Sequence, residues 1–216
     1  MVTFLNNIIK RLLLRLDLYS IFLLKKHSAL LEYGWFRSFS DGKPVDLNGN
    51  PIPWFTFSAI EFLKRKETKE FILFEYGAGN STLWWSSRVT FIYSCEHDKH
   101  WYNVVLEHLP KNVSLKHIEL VYGGDYCREI GKYNGKFHII IVDGRDRNNC
   151  LKNCLVALRE DGVIILDNSD RKKYKEGIEF LLFNGFRKLD FYGMGPINTY
   201  AWCTSIFYKN NNCLGI

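Results

Sequence analysis

From Phe71 onward the chain alternates short β-branched or aromatic runs with helical patterns: "FILFEYG", "STLWWSSRV", "TFIYSCEHD", "KHWYNVVLEHL", "SLKHIELVYGGD", "KFHIIIVDG", "NNCLKNCLVALRE", "GVIILDNSD", "KKYKEGIEFLLFNG", "FRKLDFYG" and "TSIFYK". That order restricts the fold severely. Strands separated by helices of this length are joined by crossovers, so they run parallel, and a parallel sheet has to be covered on both faces. No helical pattern separates the last two runs, which are expected to pair antiparallel at one edge. The expected class is α/β: a doubly wound, mostly parallel seven-stranded sheet with an antiparallel edge strand and an N-terminal helical extension.

With 216 residues, 47% of them hydrophobic and 16% aromatic, the chain can fill one core and is short for two. The expected division is a helical extension and connector over residues 1–50, followed by the sheet domain over residues 51–216. In the extension, Phe4, Ile8, Leu12 and Leu16 recur at helical spacing among Lys10, Arg11 and Arg15. Two readings stay open: the helix docks on its own domain or on a second copy in a homodimer, or it lies on an anionic membrane surface. Its longest uncharged run, "LYSIFLL", is too short to cross a bilayer, which takes about 20 apolar residues. The net charge of +6 comes from scattered basic residues, which does not indicate a nucleic-acid partner. Six widely spaced cysteines and no cleavable signal peptide make the cytoplasm the expected location, with peripheral membrane contact if the helix lies on lipid. Cys150 and Cys154 could share a helix face, but without a CxxC or HxxxH partner they are expected to be small core residues.

In an open α/β sheet, ligands bind beyond the carboxyl ends of the strands, beginning at the first strand-to-helix turn. Here that turn is "FEYGAGNST", where Gly77 and Gly79 allow a tight turn and Ser81 and Thr82 open a helix. NAD or FAD fits poorly. The dinucleotide fingerprint wants Gly or Ala where Thr82 stands, and it would bring a pyrophosphate close to the anionic Glu75. An acid at that strand end suits a cationic cofactor instead, and S-adenosylmethionine carries an ammonium and a sulfonium. Glu96 ends the next strand, at about the separation where an acid receives ribose hydroxyls in nucleotide folds. Asp125 in "GGDY" ends the third and could accept from an adenine amino group.

The motifs "FEYGAGNST", "YSCEHD", "VYGGD", "IIIVDGRDR" and "GVIILDNSD", in that order, resemble those of a class I S-adenosylmethionine-dependent methyltransferase over roughly residues 51–209. The resemblance implies a Rossmann-like fold in which Glu75, Gly77, Ala78, Gly79, Asn80 and Ser81 shape the methionine end of the cofactor site. Ser81 would bond the carboxylate. Glu96, with His97 beside it, would hold the ribose, Asp125 the adenine, and Asp143 would border the same site. Asn80 stands where many members have a third glycine. The whole chain is also similar to a group of small bacterial methyltransferases, some of them encoded beside surface-polysaccharide genes. That similarity implies O-methylation of a sugar or a secondary metabolite, hence a small-molecule or glycan acceptor.

Asp143 ends the fourth run and Asp167-Asn168 the fifth, so two carboxylates and an amide oxygen are expected to converge on one point. Such a set suits Mg²⁺, and it is similar to that of metal-dependent O-methyltransferases of the catechol and caffeoyl-coenzyme A type. The other reading is that these residues end strands and cap helices, with Arg145, Asp146 and Arg147 in ion pairs. The catechol-type enzymes place a lysine base three residues after the first aspartate, where this chain has Asp146; Asp143 and Asp146 are therefore the candidate catalytic residues, although the flanking arginines favour the charged form of Asp146. Trp54, Thr56 and Arg145 are the candidate acceptor contacts, with Met194, Tyr200 and Trp202 on the far wall. His97, His100 and His138 are further candidate bases that packing or surface roles would explain equally well.

Overall fold

A computed structural model describes Leu14 and residues 17–216. Strands β1 (Ile72–Tyr76), β2 (Phe91–Glu96), β3 (Val113–His117), β4 (Phe137–Val142) and β5 (Leu158–Asp167) pair in parallel in the spatial order 3-2-1-4-5. The sheet continues through β7 (Trp202–Tyr208) to β6 (Arg187–Gly193), giving seven strands. β7 runs antiparallel to both β5 and β6. The reversed strand therefore sits one place inside the edge, and β6 is the edge itself.

The central strands read as continuous apolar runs because both of their faces are buried. Alternate residues go to opposite sides. Leu73, Ile92, Ile139, Ile141, Val163 and Ile165 meet Ile60 and Leu63 of the helix Phe57–Lys64, which follows α1 (Leu18–Lys26), α2 (Ala29–Glu32) and α3 (Trp35–Asp41) and is α4, and Trp85 of α5 (Asn80–Ser86). Phe74, Tyr76, Ile140, Val142, Ile164 and Leu166 meet the other layer, which includes Tyr126 of α7 (Asp125–Arg128), Leu151 of α8 (Arg147–Asn153) and Leu181 of α9 (Lys175–Phe183). Each of these side chains contributes about 1.5–3 kcal/mol on burial. A one-residue slip would exchange the two layers, so the parity of every strand is firmly set. Helix α6 (Lys99–Leu106) starts where Asp98 accepts from the Trp101 N–H at 2.9 Å.

Ahead of the sheet lie α1 (Leu18–Lys26), α2 (Ala29–Glu32) and α3 (Trp35–Asp41). Leu30, Tyr33 and Trp35 pack against the first core layer, and the Tyr33 ring stacks on Phe57 at 4.9 Å. From Ala29 onward the extension thus docks on its own domain. α1 buries none of its residues. Phe4, Ile8, Leu12 and Leu16 lie outside the described residues, among which no helix is long and apolar enough to cross a membrane. Cys150 and Cys154 are free and fully buried in the second core layer, as small core residues would be.

Candidate active site

Strand parity brings four acids to one face of the sheet. Glu75 follows Leu73 on β1, Glu96 follows Ser94 on β2, and Asp167 follows Ile165 on β5, all on the side of the first core layer; Asp143, just past β4, continues the Ile139–Ile141 row. Val142 pairs with Leu166, so Asp143 and Asp167 stand level on neighbouring strands, which run about 4.8 Å apart. Glu75, Glu96 and Asp167 are 1%, 4% and 3% exposed, so each must be compensated. The two ends of this row are compensated in different ways.

At the β1–β2 end the compensation is by neutral donors. The Thr82 hydroxyl donates to Glu75 Oε2 at 2.5 Å and accepts from the Gly79 N–H at 3.0 Å, which ties the glycine loop to the acid. Glu96 accepts from the N–H groups of Ala78, His97 and Asp98 at 3.1, 2.7 and 2.8 Å. The His97 Nδ1 atom lies 2.7 Å from Glu96 Oε1, but among the described residues no Lys or Arg forms an ion pair with Glu75 or Glu96. Burial raises the Glu75 carboxyl to about 7; the nearby Ser81 and Thr82 hydroxyls oppose the rise, and the charge on Glu96 adds to it. The Ser81 hydroxyl lies beside Glu75, buried and outside hydrogen-bonding geometry with any protein group among the described residues.

The loop over these acids depends on two glycines. Gly77 has φ 91°, and a Cβ there would stand 3.0 Å from the Gly144 Cα; a Cβ on Gly144 would meet the Tyr126 hydroxyl at 2.1 Å. With both side chains absent, the turns after β1 and β4 press together and leave a cavity of about 580 Å³ above them. Glu75, Gly77, Ala78, Gly79, Asn80 and Ser81 line one wall of this cavity. Glu96, His97, Asp143 and Arg145 line the rest, along with residues the sequence did not single out, Trp101 above all. Trp101 Nε1 donates to the Ala78 carbonyl at 2.6 Å and covers Gly79. In the sequence it falls within "KHWYNVVLEHL", which reads only as a helical pattern.

At the β4–β5 end the compensation is a full charge. Arg147, 7% exposed, donates through Nη2 to the Asp143 carbonyl at 2.7 Å and to Asp143 Oδ1 at 2.9 Å, through Nη1 to the Asp167 carbonyl, and through Nε to the Gly144 carbonyl at 3.0 Å. Asp167 Oδ1 accepts from Trp202 Nε1 at 2.9 Å and from the Thr204 hydroxyl at 2.7 Å. Burial raises both aspartates, and Arg147 opposes the rise in each. This arrangement weighs against Mg²⁺ on Asp143, Asp167 and Asn168. The Arg147 guanidinium holds Asp143 Oδ1 and the Asp143 and Asp167 backbone carbonyls, Asp167 Oδ1 is taken by Trp202 and Thr204, and a divalent ion would have to sit beside a permanent cation.

Several other expectations change with the geometry. Asp146, a candidate base, is placed away from the cavities: its oxygens accept from the Gly123 N–H and from Asn149 Nδ2, both at 2.7 Å, and it lines neither cavity. Asp125 is exposed at the first position of α7, away from the cavity lining. Thr56 is no acceptor contact: it is fully buried, its hydroxyl donates to the Phe191 carbonyl at 3.1 Å and its N–H to Thr204 Oγ1 at 3.1 Å. Trp202 is likewise buried under Asp167. His138 accepts from the Ile72 N–H at 3.0 Å and stacks on Phe71, which is a packing role. His100 lies at the rim of the larger cavity. Trp54 lines that cavity and also a second one of about 400 Å³ beside it, and Asp143 and Arg147 form the rest of the shared boundary.

No family model matches the sequence, and no curated protein does. Among solved structures, precorrin-6y C5,15-methyltransferase from Geobacter metallireducens GS-15 aligns with a TM-score of 0.55 at 13% identity, over 69% of this chain and 86% of that one. TrmK from M. capricolum, solved in complex with S-adenosyl-homocysteine, gives 0.54 at 11%, over 74% and 71%. Spermidine synthase from Thermotoga maritima gives 0.50 at 17%, over 68% of this chain but only 55% of that one, so this chain spans about half of that protein. The chain has the fold of the class I S-adenosylmethionine-dependent methyltransferases.

Proposed function

We propose that this protein is an S-adenosylmethionine-dependent methyltransferase acting on a hydroxyl oxygen of a small molecule or glycan precursor. One observation carries the reading: Glu75 and Glu96 are buried side by side at the cavity floor with no Lys or Arg paired to either among the described residues, whereas Asp143 has Arg147. A buried acid pair of this kind favours a ligand that brings its own positive charge. The residues present fit such a donor. The unpartnered Ser81 hydroxyl faces the cavity where a ligand carboxylate could take its hydrogen bond, and Glu96 Oε2 retains a lone pair for a ribose hydroxyl. The cavity volume lies within the ordinary range for a small-molecule site.

S-adenosylmethionine bound there would supply an electrophilic methyl group on sulfur. The protein's own part would be positioning and proton transfer. Asp143 borders both cavities, its Oδ1 held by Arg147, and its raised pKa suits it to take the proton that an acceptor hydroxyl loses as its oxygen bonds the methyl carbon. The shared fold supports the reading, since the TrmK structure contains S-adenosyl-homocysteine.

The test is ligand-induced stabilisation. Saturation at 100 times Kd adds about 2.7 kcal/mol, which for a chain of this size raises Tm by roughly 5–10 °C. Glu96→Ala should remove the effect. No rise at millimolar S-adenosyl-homocysteine would sink the proposal, and mass spectrometry of a methylated product would show whether oxygen is the acceptor atom. A second reading, docking of α1 on a membrane or a partner, is favoured by the exposure of Leu18, Ile21, Phe22 and Leu24 beside Lys25 and Lys26. Cosedimentation with anionic vesicles tests it.

A further inference from the structure

The smaller cavity contains two arginines in opposite situations. Arg147 is buried, and all three of its guanidinium nitrogens donate to Asp143, Gly144 or Asp167. Arg171 is exposed at the rim; among the described residues its side chain forms neither a hydrogen bond nor an ion pair within 4.0 Å of a carboxylate. Its backbone is held: the Arg171 N–H donates to the Asn168 carbonyl at 3.1 Å, across a turn in which Asn168 takes φ 52°. The turn is fixed and the guanidinium at its tip is left available.

The opposite rim is built in a similar way. Ile197, a β-branched residue, is held at φ 68°, a costly conformation, and the Asn198 N–H closes a tight turn onto the Pro196 carbonyl at 2.7 Å. The Asn198 carbonyl accepts from Trp35 Nε1 at 2.9 Å. With both of its backbone groups engaged, Asn198 has its side-chain amide left for the cavity. Trp54 and Tyr200, 43% and 58% exposed, add two aromatic surfaces. The cavity therefore offers flat apolar faces for a ring, amides for hydroxyl groups, and a guanidinium whose planar fork matches a carboxylate or a phosphate; it acts on Asp143 only at a distance and has no hydrogen-bond or ion-pair partner among the described residues.

We propose that the smaller cavity binds a hydroxylated ring compound carrying an oxyanion, a carboxylate or a phosphate, and that Arg171 pairs with that oxyanion while a ring hydroxyl faces Asp143. The proposal rests on the reading of the larger cavity as the adenosyl site. It names the acceptor class as acidic sugars or sugar phosphates, as opposed to neutral sugars. Arg171 would determine specificity, with the proton transfer left to Asp143.

The experiment is calorimetric titration of the full-length protein saturated with S-adenosyl-homocysteine, using a hexuronate, the corresponding hexose 6-phosphate and the neutral hexose as probes. At least one anionic probe is expected to bind about tenfold or more tightly than the neutral hexose, and Arg171→Gln should weaken that probe by a similar factor, the loss expected for a hydrogen bond to a charged group. The two anionic arms distinguish carboxylate from phosphate recognition. Binding of S-adenosyl-homocysteine itself should be the same in Arg171→Gln, which also shows that the variant is folded. Equal binding of neutral and anionic probes, an anion affinity unchanged in Arg171→Gln, or no anion binding up to about 10 mM would overturn the proposal. If S-adenosyl-homocysteine fails to bind, the adenosyl reading falls and takes this one with it, an outcome distinct from the other three.

Discussion

Glu75 is a carboxylic acid held where its charged form is disfavoured, and that sets a sign for two measurements. Its folded pKa is about 7 against an ordinary 4.5, chiefly because of burial. Between those values the folded state holds a proton that the unfolded chain has released, so stability falls as pH rises through the window and levels off above it. The loss attributable to this group is about 3 kcal/mol. Urea denaturation at pH 5 and pH 8 should therefore show a steeper decline in the native protein than in Glu75→Gln, which has no proton to lose; equal declines would mean that the acid is solvated. A cationic ligand favours the charged form, so binding of S-adenosylmethionine near pH 7 should release a fraction of a proton, seen as buffer-dependent binding heats that vanish in Glu75→Gln. Arg147 sets a third expectation. Because the Arg147 guanidinium already pairs with Asp143 beside Asp167, methyl transfer should be unchanged by EDTA, and a loss of turnover restored by Mg²⁺ would contradict this account of the site.

Among the elements, the turns after β1 and β4 carry the site because neither has a side chain where they meet. Tyr126 Oη, buried without a hydrogen-bond partner among the described residues, fills the space behind Gly144. Gly144→Ala should cost about 1–3 kcal/mol by overpacking and reduce cofactor affinity. Tyr126→Phe removes the atom in conflict and should recover part of that loss in the double variant, a coupling read from denaturation midpoints; strict additivity would show that the two residues do not touch. The sheet itself was legible in the sequence, because β-branched runs such as "HIIIV" and "GVIIL", alternating with helical patterns, read as strands buried on both faces. The Glu75–Glu96 pairing was legible as two acids at successive strand ends. Arg147 was not, since a basic residue four positions after Asp143 reads equally well as a surface ion pair until the helix start turns it inward. Nor was the loss of Thr56 to the core: a hydroxyl at a helix start suggests a cap, yet this one donates to Phe191 of β6, 135 residues away in the chain. Asp146 misled for a related reason, because its φ of 51° turns both of its oxygens onto Gly123 and Asn149.

For the molecule as a whole, the N-terminal segment is connected to the candidate acceptor cavity. Trp35, in the helix that precedes the sheet, donates to the carbonyl of Asn198 across 163 residues of sequence, and its ring packs on the first core layer. It therefore holds the strained turn at Ile197 from behind. Helix α1 has no such part: Ile21 and Phe22 are 58% and 55% exposed, and the helix buries none of its residues. The two segments should respond oppositely. Phe22→Glu should leave stability within about 0.5 kcal/mol, the usual range for a surface change. Trp35→Phe keeps most of the ring packing but removes the N–H, at a cost of about 1 kcal/mol, and frees the turn that presents Asn198. Binding of S-adenosyl-homocysteine, in the neighbouring cavity, should be unaffected, so the signature is a higher KM for the acceptor with an unchanged cofactor affinity. A parallel fall in both affinities would instead show that Trp35 supports the sheet as a whole, and the acceptor cavity would then have no buttress of its own.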